Sequence, residues 1–256
     1  MDFENDVVLV TGAASGIGAA TSRRFAERGA TVVVTDIDVD AGKTVAEDIR
    51  EAGGDAVFAE LDVSDAEAFQ SVVDTVVEDY GRIDVLCNNA GISGTMKAIE
   101  DITEEERDRV FDVNINGAWN GCRAVAPIMK EQGEGAIVNT ASAVGLRGYT
   151  PVLPYATSKA AIVNFTRSLA GRLGPTGVRV NAVCPGMVET KMLEEHLSEF
   201  EDPESVRERG EDLHVLGRFA EPEEIANCIN FLASDEASFV TGHAFVADGG
   251  CETVIE

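Results

Sequence analysis

The sequence predicts an α/β protein built on a single doubly wound parallel sheet of about seven strands, with helices on both faces. Three observations lead there. Short, wholly apolar, β-rich runs such as Val7–Val10 recur along the chain, as strands buried on both faces require. Segments with helical periodicity separate them, and a strand–helix alternation folds into an open parallel sheet. At the first junction stands a glycine-rich turn, Thr11-Gly12-Ala13-Ala14-Ser15-Gly16-Ile17-Gly18. Glycines there permit a tight turn and close approach of a diphosphate to backbone at a helix N-terminus, the arrangement of a Rossmann-type site. The spacing is G-x-x-x-G-x-G, so the flanking strand and helix, not the glycines alone, carry the reading.

The second strand, Thr31–Thr35, ends at Asp36, which stands 18 residues past Gly18. About 20 residues is the distance expected for the acid that accepts from the ribose 2′-hydroxyl. A carboxylate there repels a 2′-phosphate, and Ser15 and Ile37 hold the places where a basic residue would accommodate one. NAD is therefore expected over NADP. A helix over 41–52 leads to a third strand at 57–61, closed by Asp62-Val63 where an adenine ring would lie. Ser64-Asp65-Ala66-Glu67 reads as a capping box opening the next helix, to Tyr80. The fourth strand, Ile83–Cys87, runs into Asn88-Asn89-Ala90-Gly91, small residues that suit a cofactor against backbone.

Thr103-Glu104-Glu105-Glu106 is a second capping box, starting one long helix through about Met129. Asn114 lies within it, where Asn is a poor helix former; it reads as a kink, an exposed polar residue or a proton-relay element. The fifth strand, Gly135–Asn139, delivers Ser142 to the sheet edge where open α/β sheets bind ligands. A helix beginning near Pro154 puts Tyr155 in its first turn and Lys159 one turn along the same face. The lysine charge and the helix dipole both favour phenolate, so a lowered Tyr155 pKa is expected. A sixth strand at 178–183 is broken by Cys184-Pro185-Gly186. The long, Glu-rich stretch 187–215 reads as a substrate-binding loop or lid. Glu221-Pro222-Glu223-Glu224 opens a last helix to Ala233, and Ala244–Asp248 gives the seventh strand and its turn. One domain is expected over 1–256.

With 46 acidic and 20 basic residues the formal net charge is −26, which argues against nucleic acid and anionic membranes as partners. The acids are spread over every expected helix, a composition resembling that of proteins from salt-loving organisms. No run has the length of a membrane span, and the acidic N-terminus lacks the basic start of a signal peptide, so a cytoplasmic protein is expected. Cys87, Cys122, Cys184, Cys228 and Cys251 are scattered without C-x-x-C spacing, and His196, His214 and His243 stand alone. No metal site is expected.

Taken together, these motifs resemble the short-chain dehydrogenase/reductase family, in its NAD-preferring branch of about 250 residues. The resemblance covers residues 5–251 and includes Gly217-Arg218-Phe219 and Asp248-Gly249-Gly250. It implies hydride transfer between a secondary alcohol (a sugar, hydroxyacyl thioester, or cyclic or aliphatic alcohol) and nicotinamide. By resemblance Tyr155 is the acid/base, Lys159 holds the nicotinamide ribose and lowers the tyrosine pKa, Ser142 binds the substrate oxygen, and Asn114 holds a relay water. The cofactor set it implies is Gly12, Ser15, Gly16, Ile17, Gly18, Asp36, Ile37, Asp62, Val63, Asn89, Ala90, Gly91, Tyr155, Lys159, Pro185, Gly186, Val188 and Thr190. A homotetramer is implied as well. Thr140-Ala141 departs from the Ile-Ser that many relatives carry before the serine. The alternatives are a 3-oxoacyl-carrier-protein reductase and, from a different class, a non-catalytic dinucleotide sensor. Asp36 and the acidic surface count against the first, and the complete Asn114, Ser142, Tyr155, Lys159 set counts against the second. Substrate choice is assigned to 92–97, 143–153 and 187–215, with Met96, Leu146, Tyr149, Met187 and Met192 as hints of a partly apolar pocket. Arg147 reads as an anion contact or a solvated charge.

Overall fold

The computed structural model of the protein describes residues 2–148 and 151–252. Seven strands form one sheet: β1 (Val7–Thr11), β2 (Thr31–Asp36), β3 (Asp55–Glu60), β4 (Val85–Asn88), β5 (Gly135–Thr140), β6 (Val178–Pro185) and β7 (Ala244–Ala247). Their order is β3-β2-β1-β4-β5-β6-β7, with every neighbouring pair parallel. Side chains alternate along each strand, so β1 sends Val8 and Val10 to one core and Val7 and Leu9 to the other. Helices α1 (Gly16–Ala26), α2 (Val39–Glu51) and α9 (Pro222–Ala233) cover the first face through Phe25, Val45, Ile49, Ile225 and Ile229. Helices α3 (Ala66–Tyr80), α5 (Gly117–Gln132) and α6 (Leu153–Leu173) cover the second through Phe69, Val73, Val125, Met129 and Leu173. This double cover is why the strands read as apolar runs.

After β1 the chain winds outward to β2 and β3, then crosses back to lay β4 on the other side of β1. Connections leave β1 and β4 in opposite directions, and their carboxyl ends frame a crevice at this switch point. The functional candidates other than Gly18 and Asn114 line the cleft at that edge.

Three expectations change. Helix α3 is capped by Asp65, whose Oδ1 accepts from the Glu67 and Ala68 amides at 2.9 and 3.0 Å, not by Ser64. The Ser64 hydroxyl and amide both donate to Asp62, at 2.7 and 2.9 Å. With Ser64 engaged there, the next carboxylate takes the cap.

The long helix expected from Thr103 is broken. Thr103 and Glu106 do form the capping box of α4 (Glu104–Phe111), but a π-helical segment, Asp112–Asn116, intervenes before α5. The extra residue per turn re-aims the side chains within it, as such insertions do at functional positions.

Stretch 187–215 is not one loop. It contains α7 (Lys191–Ser198), capped by Thr190, and α8 (Pro203–Asp212), capped by Asp202. Leu193, Leu197 and Phe219 form a small core of their own there, joined by Met187 and Val206. A bidentate Arg207–Glu189 pair ties α8 back to the segment that leaves β6.

Candidate active site

The crevice opens into a cleft of 990 Å³ along the carboxyl edge of the sheet, at the upper end of the roughly 300–1,000 Å³ usual for small-molecule sites. At its centre β1 and the β4 turn are locked together. Thr11 Oγ1 accepts from the Asn89 and Ala90 amides at 3.0 and 3.1 Å, and Asn89 Nδ2 donates to the Thr11 and Gly12 carbonyls. Gly12 adopts φ +62°, and a Cβ there would lie 2.7 Å from the Ala90 Cα. A Cβ on Gly18 would lie 2.1 Å from the Gly12 carbonyl oxygen. Both positions need glycine because backbone approaches backbone.

Asp36 sits at the end of β2 with its carboxylate fixed. Oδ2 accepts from the Ala14 amide and Oδ1 from the Asp38 amide, each at 2.9 Å. The neighbouring wall is Ser15, Ile37 and Asp62, with Ile37 66% exposed. No cation stands among these residues.

On the far side, β5 and α6 bring Ser142, Tyr155 and Lys159 together. Ser142, 8% exposed, accepts from the Val144 amide at 3.3 Å. Tyr155 lies in the first turn of α6, and Lys159 follows one turn later with Nζ 5.5 Å from the tyrosine ring centroid. Lys159 is 4% exposed and donates to the Thr140 carbonyl at 2.8 Å. Burial brings its pKa down from 10.5 to about 8. Tyr155 departs from expectation in direction. Burial pushes the phenol above its usual value of 10.0, and a hydrogen bond with Ser142 pulls the other way. Desolvation thus outweighs the help that Lys159 and the helix dipole were expected to give the phenolate.

Asn114 stands behind this group, 2% exposed and outside the cleft lining. The π-helical turn points it at the Gly91-Ile92 backbone. Its Oδ1 accepts from the Ile92 amide at 2.8 Å, while Nδ2 donates to the Ile92 carbonyl at 3.0 Å and to Ser158 Oγ at 2.9 Å. Of the readings open in the sequence, the kink is present and an exposed polar residue is not.

Every other expected site residue except Gly18 lines the cleft: Gly12, Ser15, Gly16, Ile17, Asp36, Ile37, Asp62, Val63, Asn89, Ala90, Gly91, Ser142, Tyr155, Lys159, Pro185, Gly186, Val188 and Thr190. Gly18 instead packs behind the turn. Met187 and Met192 face the cleft, Met96 and Leu146 do not, and Tyr149 lies outside the described residues. Sequence reasoning missed His214, which is 4% exposed and shows no ligand spacing. Its Nδ1 lies 2.7 Å from the Gly210 carbonyl, and Nε2 accepts from the Met187 amide at 3.2 Å. The ring therefore fastens the end of α8 to the exit of β6. Among the described residues no group of three or more His, Cys, Asp or Glu is placed to hold a metal ion.

Comparison with known proteins agrees with this fold. The model of a family described as Enoyl-(Acyl carrier protein) reductase matches residues 12–252. The 3-oxoacyl-(acyl-carrier-protein) reductase FabG of Thermotoga maritima is 43% identical over 250 residues, which are 98% of this chain and 99% of that protein. The chain belongs to the short-chain dehydrogenase/reductase family. A cyclohexanol dehydrogenase of Acinetobacter sp. (strain SE19) is 38% identical over 247 residues, covering 96% of this chain and 95% of that one. The structure of an NAD+-bound xylitol dehydrogenase superposes with a TM-score of 0.92 at 35% identity, over 96% of this chain and 98% of that one.

Short-chain dehydrogenase/reductases are oxidoreductases that bind a nicotinamide dinucleotide, and this chain's residues fit such a group. Ser15 caps α1 with no side-chain hydrogen bond, and the first turn of α1 carries no acid. In a chain with 46 acidic residues, α2, α3, α4, α7, α8 and α9 carry acids in the first turn, whereas α1 shares with α5 and α6 a first turn free of them. Unpaired amides and a helix dipole facing the cleft without a competing carboxylate are what a diphosphate needs.

Proposed function

We propose that this short-chain dehydrogenase/reductase is NAD-dependent and moves a hydride between the carbon of a secondary alcohol and nicotinamide, with Tyr155 as acid/base. The observation that carries the reading is Ser142, Tyr155 and Lys159 lining the same cleft as the fixed Asp36 carboxylate, with Lys159 Nζ 5.5 Å from the Tyr155 ring centroid. The nicotinamide, when bound, gives or takes the hydride.

The chain's own residues do the rest. Ser142 and Tyr155 line the same cleft, where a substrate oxygen would receive a hydrogen bond from each. In the reducing direction the Tyr155 hydroxyl donates its proton to the carbonyl oxygen as the carbon gains hydride; oxidation returns both. Because burial keeps the phenol protonated, reduction runs at neutral pH and oxidation accelerates as pH rises. Lys159 holds the nicotinamide ribose and is positioned by the Thr140 carbonyl. A Cβ on Gly91 would lie 3.3 Å from both Asn114 Oδ1 and Lys159 Nζ, so both polar atoms lie against Gly91, and the relay-water role of Asn114 is proposed on that proximity. Asp36 receives the adenosine ribose hydroxyls, and its charge disfavours a 2′-phosphate. Gly12, Gly16, Ile17 and the α1 amides take the diphosphate, Asp62 and Val63 the adenine end, and Pro185, Gly186, Val188 and Thr190 the nicotinamide end. Helices α7 and α8 form the substrate lid of a single domain. The cyclohexanol and xylitol dehydrogenases support the alcohol and NAD assignments.

A 3-oxoacyl-carrier-protein reductase is the second reading, favoured by the FabG relative. Asp36 and the net charge of −26 weigh against NADPH and against docking an acidic carrier. We further propose a homotetramer, supported by the exposed Trp119 on α5 stacked at 5.2 Å on Phe165, and a cytoplasmic setting, supported by the free buried thiols of Cys87, Cys122 and Cys184.

The test is NADH formation by purified protein in molar KCl across sugars, hydroxyacyl thioesters and secondary alcohols, at several pH values, with NADP in parallel. Turnover with NAD that rises with pH and falls on the order of 10²–10⁴-fold in Tyr155→Phe is expected. NAD binding without turnover in either direction would replace the enzyme with a dinucleotide sensor. A preference for NADP would overturn the role given to Asp36.

A further inference from the structure

The turn that follows β7 contributes Cys251 to the wall of the cleft. Arg147 lines the cleft, as do Val144, Val152, Met187 and Cys251. Its Nε lies 2.6 Å from Glu252 Oε1, and its Nη2 donates to Cys251 Sγ at 3.4 Å. The two ion-pair side chains are 40% and 19% exposed, so the carboxylate is the more enclosed partner. Glu252 is aimed from behind: its amide donates to Asp248 Oδ2 at 2.7 Å, and Asp248 Oδ1 accepts from the Gly250 amide at 2.9 Å. Burial raises the Glu252 carboxyl and Arg147 draws it back down.

A guanidinium at the substrate end of a cleft is a natural receptor for a carboxylate or phosphate. Here an internal carboxylate already lies against its Nε edge and balances its charge. An anionic substrate would have to displace Glu252 and leave that partly buried charge without its cation beside Asp248, which opposes binding.

We propose that Glu252 is a specificity-determining residue: by pairing with Arg147 it withholds the guanidinium from substrate and restricts this end of the site to alcohols and ketones without a negative charge. The proposal rests on the alcohol–ketone reading above and adds the charge class of the substrate. The probes are cyclohexanol and 3-hydroxybutyrate at fixed ionic strength, with wild type, Glu252→Gln, and Arg147→Met/Glu252→Gln. The ratio of kcat/KM for 3-hydroxybutyrate to that for cyclohexanol should rise about tenfold in Glu252→Gln, a change of about 1.4 kcal/mol, and fall back in the double variant. Independently of turnover, acetate should raise the Tm of Glu252→Gln above the level set by equal chloride, and should not do so for wild type or the double variant. An unchanged ratio together with no acetate effect overturns the proposal, as does a wild type that prefers the hydroxy acid. An acetate effect in a protein that turns over neither probe would sink the dehydrogenase reading and leave the pairing of Glu252 with Arg147 intact.

Discussion

Lys159 shows how a single side chain trades stability for position. It is 4% exposed, and burial lowers its pKa from 10.5 to about 8. Between those values the unfolded chain binds more protons than the folded one, so this residue makes stability rise with pH across that window. Below about 8 the ammonium is carried inside at a cost, offset in part by its bond to the Thr140 carbonyl. Lys159→Met is therefore expected to be more stable than wild type by about 2 kcal/mol at pH 7, with the gap closing by pH 10.5. Thermal or urea unfolding across that pH range checks it; a gap that widens with pH would contradict it. The proposed active-site role predicts that the same variant loses activity while gaining stability.

Among the elements, the π-helical turn at Asp112–Asn116 is the one that turns a helix into part of the site. An unbroken helix would not turn the Asn114 amide onto both polar groups of Ile92 and onto Ser158, bonds that fix the Gly91 strand end against α6. Asn114→Ala removes all three bonds and leaves the part-buried Ile92 amide without its partner, with an expected loss of about 1–2 kcal/mol. The local reading is hydrogen exchange: the Ile92 amide should lose protection well before the strands do, and equal exchange in both proteins would contradict the role. The capping box at Thr103 was legible because its signal lies within four residues. The π turn was not, because the pull on Asn114 comes from Ile92 and Ser158, 22 and 44 residues away.

At the scale of the whole molecule, charge and exposed aromatic surface set the behaviour. A net charge of −26 repels itself in dilute buffer, and salt shortens the Debye length from about 10 Å at 0.1 M to about 3 Å at 1 M. The Tm is expected to climb by several degrees over that range of KCl, and a flat or falling Tm would show that self-repulsion is not limiting. Trp119, 56% exposed over Phe165, is large enough to anchor a contact between copies. Trp119→Lys should shift the sedimenting mass towards smaller species in molar salt; an unchanged mass would remove this face from the proposed tetramer. Among the described residues, no helix is long and apolar enough to cross a membrane.

What the sequence determined by itself is the fold and the roster of cleft residues. Strands buried on both faces must be apolar throughout, so Val7–Val10 and its successors are visible without coordinates. The glycine turn and Asp36 are visible because backbone approach and charge each restrict residue type at a fixed spacing. Tertiary structure decided what depends on surroundings. Burial, which local spacing does not encode, raised the Tyr155 phenol where the neighbouring lysine and helix dipole alone pointed down. Long-range contacts turned 187–215 into two packed helices, drew His214 into the wall of the cleft, and set Glu252 against an arginine 105 positions earlier. Desolvation and contacts between distant segments exist only once the chain has closed on itself.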